Sequence, residues 1–76
     1  MKAYVFIKVQ PQKARSVAGK VAEIVGVKAA HPCWGVPDII AQVEAENEAA
    51  LENLVLGQIQ ALEGVVDTAT HVALAE

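Results

Sequence analysis

The sequence is poor in cysteine, in aromatic residues and in long apolar runs. Its single cysteine, Cys33, cannot form a disulfide within the chain, which is typical of a reducing compartment. There is one Trp, one Tyr and one Phe, and no apolar run approaches the ~20 residues of a membrane-spanning helix. Lys8 interrupts the apolar N-terminal stretch, and no small-residue cleavage site follows it. We therefore expect no signal peptide, no membrane contact and a cytoplasmic location.

Basic residues are also scarce. Six Lys and Arg stand against nine Asp and Glu, which gives a formal net charge of −3. This balance argues against direct contact with nucleic acid, because phosphate binding needs clustered basic side chains. All the basic residues precede residue 30, and all but one of the acidic residues follow it. Two solvated helix faces of opposite sign explain this separation, and a complementary contact between subunits is the alternative interpretation.

Aliphatic residues, by contrast, are plentiful. The chain is 54% hydrophobic, above the ~45–50% of ordinary soluble domains. With only 76 residues, it buries about 60% of its unfolded surface. We expect a single domain over residues 1–76 whose surplus apolar surface forms an oligomer interface.

Hydrophobic periodicity predicts six elements in the order β-α-β-β-α-β. The predicted strands cover residues 3–9, 27–31, 39–44 and 65–74, and the predicted helices cover 12–25 and 47–62. A turn, Gly35-Val36-Pro37-Asp38, separates the two halves. This order predicts an α+β, ferredoxin-like fold, with a four-stranded antiparallel sheet, the first and third strands at its centre, and both helices on one face.

The sheet face without helices is predicted to be apolar. Tyr4, Phe6 and Ile40 point toward it in the predicted strands. We expect these residues to form a sheet-to-sheet homodimer of the dimeric α/β barrel type, with Trp34 as a further subunit contact.

Three motifs together resemble the ligand-binding (RAM-type) domain of the Lrp/AsnC family of amino-acid-responsive regulators. They are the Gly-x-x-Asp turn before an aliphatic strand, Leu62-Glu63-Gly64-Val65, and Thr68-Ala69-Thr70. The resemblance covers nearly the whole chain. It implies dimers that pair through their sheets, higher oligomers built as rings of dimers, and an amino acid or similar small zwitterion bound between dimers. The ligand-binding residues that it implies are Gly35, Val36, Asp38, Thr68, Thr70 and His71.

Two departures from the family pattern affect what the resemblance implies. Regulators of the family carry a helix-turn-helix domain ahead of this module, whereas here the module begins at residue 3. We therefore expect a stand-alone module with no DNA-binding domain that modulates transcription regulators or metabolism. Val36-Pro37 stands where the family commonly has an acidic and an aromatic residue. Pro37 stiffens the turn because its ring fixes φ.

Two other functional classes remain as alternatives. A dimeric ferredoxin-like enzyme would use His71 and Asp38 as an acid-base pair, and a purely structural oligomerisation module would partner an Lrp/AsnC-type regulator. Asp38 also suits a turn former, and Thr68 and Thr70 are ordinary strand residues. His31 and Cys33 match no common zinc spacing, so we expect no metal and no cofactor, and we expect Cys33 to be a buried apolar residue.

Overall fold

The observed elements follow the predicted order and confirm the ferredoxin-like fold. The structure is a computed structural model that describes residues 1–75, so Glu76, the last residue of the predicted domain, lies outside the described residues. The elements are β1 (Lys2–Val9), α1 (Ala14–Ala22), β2 (Val27–Pro32), β3 (Ile39–Glu44), α2 (Glu48–Glu52), a π-helical segment that continues α2 (Asn53–Ile59), and β4 (Val65–Val72).

The strands form one antiparallel sheet in the order β2-β3-β1-β4. β1 and β3 lie at the centre, as predicted, and β2 and β4 are the two edges. In the register, Val5 lies opposite Ala41 of β3 and Thr70 of β4. Side chains directly opposite one another share a face, so the register determines which residues of β4 lie beneath the helices.

The core lies between the sheet and the helical layer. Alternate residues of the two central strands are buried, among them Val5, Ile7, Ile39 and Val43, and they pack against residues of the helices, including Val17, Val21, Leu54 and Ile59. β1 also carries two aromatic residues on its other face, where Tyr4 is exposed and Phe6 is half-buried. The helical layer covers only one face of the sheet.

α1 is shorter at both ends than the predicted helix over residues 12–25. Gln12 has a positive φ of 67°, which a right-handed helix does not accommodate. Beyond Ala22 the chain closes with tighter turns, in which the N–H of Ile24 donates to the carbonyl of Val21. Hydrophobic spacing continues through such turns, so periodicity alone overestimates the length of the helix.

α2 begins as predicted and then changes its winding. Asn47 is the N-cap, and its side-chain oxygen accepts a hydrogen bond from the backbone N–H of Ala50 at 2.8 Å. After Glu52 the helix widens, and the N–H of Gln60 donates to the carbonyl of Val55, five residues earlier. No helix among residues 1–75 is long and apolar enough to cross a membrane.

Candidate functional site

The turn before β3 is held in place by Asp38. Its carboxylate accepts a hydrogen bond from the N–H of Val9 at 2.9 Å, and its own N–H donates to the carbonyl of Ile7 at 3.0 Å. Its carbonyl accepts from the N–H of Cys33 at 2.7 Å. Asp38 therefore ties the end of β1 to the start of β3 and closes the turn, which is the turn-forming role predicted beside its ligand role.

Asp38→Ala is expected to lower the free energy of unfolding by about 1–3 kcal/mol, because the partly buried N–H of Val9 loses its acceptor. Asp38→Asn keeps an oxygen at that position and is expected to lose less. Urea unfolding of both variants measures the difference. Equal losses would show that the carboxylate charge, rather than the hydrogen bond, stabilises the turn.

Thr68 and Thr70 lie on the helix-covered side of β4. They sit opposite Ile7 and Val5, whose side chains are fully buried beneath the helices. The Thr68 hydroxyl accepts a hydrogen bond from the side-chain amide of Gln60 at 2.7 Å. Thr68 thus joins β4 to the end of the helical layer, whereas Thr70 lines a cavity.

The cavity at Thr70 opens between α2 and the β4 edge. Its volume is about 200 Å³, and its lining combines two buried aliphatic residues with three polar ones: Leu51, Val55, Glu48, Glu52 and Thr70. Glu48 and Glu52 are one helical turn apart and both exposed, so their like charges create a negative potential at the opening. A pocket of this kind suits a small ligand with a cationic group and an apolar part.

His71 lies on the other side of the sheet. It is opposite Tyr4, and its ring packs against Phe6 with the ring centroids 4.8 Å apart. It is therefore on the opposite face from Thr70 within one chain. It is also remote from Asp38, because two strand spacings, about 10 Å, separate β4 from β3. The arrangement does not favour the His71 and Asp38 acid-base pair.

A second cavity, of about 450 Å³, lies beside the turn. Its lining comes from the start of α1 and from the end of β2: Ala14, Arg15, Pro32, Cys33 and Trp34. Trp34 is fully exposed and lies in the turn region rather than on the open sheet face. Cys33 was predicted to be buried, but it is only half-buried, because it follows β2 at the edge of the sheet. Its thiol donates to the carbonyl of His31. Within residues 1–75, no three His, Cys, Asp or Glu side chains come together as metal ligands would.

The six predicted ligand residues are thus distributed over three places in one chain. Gly35, Val36 and Asp38 form the turn, Thr68 and Thr70 are on the side of β4 that faces the helical layer, and His71 is on the open face. Glu48 and Glu52, which lie beside Thr70 in the cavity lining, were not singled out in the sequence analysis. Their four-residue spacing beside the buried Leu51 was the available signal.

Comparison with known proteins places the chain in a family. A sequence model of the Lrp/AsnC ligand binding domain matches residues 2–76. The chain belongs to this family. An uncharacterised HTH-type transcriptional regulator of Pyrococcus furiosus is 33% identical over 70 residues, which are 92% of this chain and 47% of the regulator. The chain therefore spans about half the length of that curated relative.

Solved structures agree with the family fold. The crystal structure of a Thermus thermophilus protein superimposes on this chain with a TM-score of 0.92 at 27% sequence identity. The aligned region covers 99% of this chain and 94% of that one. A transcriptional regulator of Neisseria meningitidis in complex with L-methionine has a TM-score of 0.86 at 22% identity, over 99% of this chain and 50% of that one. At that identity, the second likeness shows the fold alone.

Proposed function

We propose that this Lrp/AsnC ligand-binding domain is a regulatory module that binds an amino acid in the cavity at Thr70. The observation that carries the proposal is the composition of that cavity, in which a hydroxyl and two carboxylates surround an aliphatic floor. An amino acid has the complementary parts. Its ammonium group is attracted to Glu48 and Glu52, the Thr70 hydroxyl offers a hydrogen bond, and an apolar side chain lies against Leu51 and Val55.

The cavity has no basic residue in its lining, so the carboxylate of an amino acid must be bound elsewhere. The backbone N–H groups of Gly35 and Val36 are one such partner, because Pro37 has no N–H and that of Asp38 donates to Ile7. Gly35 has an open approach, since nothing beyond its chain neighbours lies within 4 Å of the position of a Cβ there. The turn and the cavity are at different places in one chain. A binding site that uses both the turn and the cavity therefore needs two copies of the chain. This agrees with the position between dimers that the family resemblance implies.

Dimerisation through the open sheet face completes the proposal. Tyr4 and Phe6 stand at the centre of this face, and Ile40 lies directly opposite Phe6. Tyr4 is 39% exposed although it lies on a central strand. Packing this face against its counterpart in a second copy removes apolar area from water, at about 25 cal/mol per Å². An amino acid that binds between such dimers favours the larger assembly by linkage.

The proposal predicts a selective thermal shift. Thermal unfolding is measured with each common amino acid in turn, starting with L-methionine. A ligand at ~100 times its dissociation constant adds ~2.7 kcal/mol per site, which is several degrees for a domain of this size. Glu52→Gln and Thr70→Val remove the charge and the hydroxyl at nearly constant volume, and each is expected to weaken binding about tenfold.

Glu63→Gln is the matched control, since it removes an exposed carboxylate outside the cavity lining. It is expected to leave the shift unchanged. If no amino acid raises the midpoint temperature of thermal unfolding, the proposed ligand class is wrong. If Glu52→Gln and Glu63→Gln bind equally well, the ligand lies elsewhere.

A further inference from the structure

The cavity between the start of α1 and the end of β2 takes no part in the proposed amino-acid site. Its lining residues are Ala14, Arg15, Pro32, Cys33 and Trp34. Its volume is about 450 Å³, compared with about 200 Å³ for the cavity at Thr70. Small-molecule sites typically have ~300–1,000 Å³. The larger cavity therefore has room for a ligand with an aromatic ring.

Both walls of this cavity are held in place by the fold. On the strand side, the N–H of Cys33 donates to the carbonyl of Asp38 at 2.7 Å. Pro32 lies opposite Ile39, which is fully buried in the core. On the helix side, Val17 anchors the first turn of α1 in the core. The walls are thus preformed, as is usual for small-molecule sites.

The lining combines one positive charge with apolar surface. Arg15 is exposed and supplies a guanidinium group, whose planar array of donors matches a carboxylate. Trp34 is fully exposed, so its indole ring is open to a stacked aromatic ring. Within residues 1–75, no acidic side chain lines the cavity. An ammonium group would therefore meet only the positive charge of Arg15.

We propose that this cavity binds a small aromatic carboxylate that has no ammonium group. The carboxylate pairs with Arg15, and the aromatic ring lies against Trp34 and Pro32. This gives the exposed indole a function other than the subunit contact predicted from the sequence. The inference does not rest on amino-acid binding at Thr70, because the two cavities share no lining residue.

Four compounds test which parts of the ligand are needed. Hydrocinnamate is the probe, and L-phenylalanine differs from it only by the ammonium group. Hydrocinnamamide lacks the negative charge, and cyclohexylpropanoate lacks the aromatic ring. An acid of this size is expected to bind with a dissociation constant on the order of ~1 mM. Each of the other three compounds is expected to bind at least about fivefold more weakly.

The cavity contains two reporters of its own. Trp34 is the only tryptophan of the chain, and Cys33 is the only cysteine. A stacked ring changes the fluorescence of Trp34, and a filled cavity slows the reaction of the Cys33 thiol with a maleimide. At about ten times its dissociation constant, hydrocinnamate is expected to slow that reaction about tenfold.

Two substitutions remove the proposed contacts one at a time. Arg15→Gln is expected to weaken hydrocinnamate binding at least about tenfold, because the carboxylate loses its charged partner. Trp34→Leu keeps an apolar side chain and is expected to weaken binding about fivefold, measured by Cys33 labelling. Lys20→Gln is the matched control for Arg15→Gln. Lys20 is exposed in the last turn of α1, outside the cavity lining, and its variant is expected to bind like the wild type.

The proposed amino-acid site and this cavity can be tested separately. Glu52→Gln alters the lining of the Thr70 cavity only. It is expected to weaken amino-acid binding and to leave hydrocinnamate binding unchanged. Arg15→Gln is expected to have the opposite effect.

Three results would overturn the proposal. The first is hydrocinnamate that changes neither the fluorescence of Trp34 nor the labelling rate of Cys33. The second is equal affinity of the Arg15→Gln and Lys20→Gln variants for hydrocinnamate. The third is L-phenylalanine that binds the wild type as tightly as hydrocinnamate does, since the cavity would then tolerate an ammonium group beside Arg15.

Discussion

Gly26→Ala is expected to lower the free energy of unfolding by about 2–4 kcal/mol, from a left-handed backbone and a steric clash together. Gly26 follows the turns after α1 and has a φ of 101°, which a residue with a Cβ rarely adopts. A Cβ there would lie 2.7 Å from Cδ1 of Leu54 and 3.0 Å from the carbonyl oxygen of Glu44. The oxygen belongs to the backbone of β3 and has little freedom to move. Urea unfolding followed by circular dichroism measures the loss.

Two other glycines separate the causes. Gly35 has a φ of 131° but no heavy atom within 4 Å of a Cβ position, so Gly35→Ala reports the backbone strain alone. Gly19 lies in α1 with open space around it, and Gly19→Ala is expected to stabilise the protein by about 0.5–1 kcal/mol. If Gly26→Ala lowers the free energy of unfolding no more than Gly35→Ala does, Leu54 and β3 move aside without destabilising the protein. A small domain has only about 5–15 kcal/mol of stability, so the difference is measurable.

The fold was predictable because several local signals agree. Alternation in β1 and β3, the glycines after each helical stretch, and the cap at Asn47 all indicate the same order of elements. The exact ends of the helices were not predictable. Hydrophobic spacing does not distinguish an α-helix from the tighter turns after Ala22, or from the wider winding after Glu52.

The candidate site was predictable only in part. Asp38 as a turn former follows from local chemistry, because an Asp before a strand can accept from nearby N–H groups. The cavity depends on register instead. Thr70 meets α2 because it lies opposite Val5, and His71 faces away because successive strand residues alternate in direction. Placing His71 with Thr70 in one pocket would need residues from both faces of one sheet.

Phe6→Glu is expected to separate the proposed sheet-to-sheet dimer into single chains of 8.0 kDa and to raise its dissociation constant at least thirtyfold, about 2 kcal/mol. Phe6 lies at the centre of the open face, with Ile40 opposite it on β3 and Ala69 opposite it on β4. A carboxylate at this position must be desolvated when two such faces pack together, and the symmetric partner places a second carboxylate nearby. Sedimentation over a range of protein concentrations measures the change.

Leu56→Glu is the matched control for Phe6→Glu. Leu56 is also a large apolar side chain, 53% exposed, but it lies in the π-helical segment of the helical layer, on the opposite side of the molecule. The same change of charge and polarity is made, so solubility and net charge are affected equally. The Leu56 variant is expected to remain dimeric. If both variants dissociate, general charge repulsion separates the copies, and if neither does, the open sheet face is not the dimer interface.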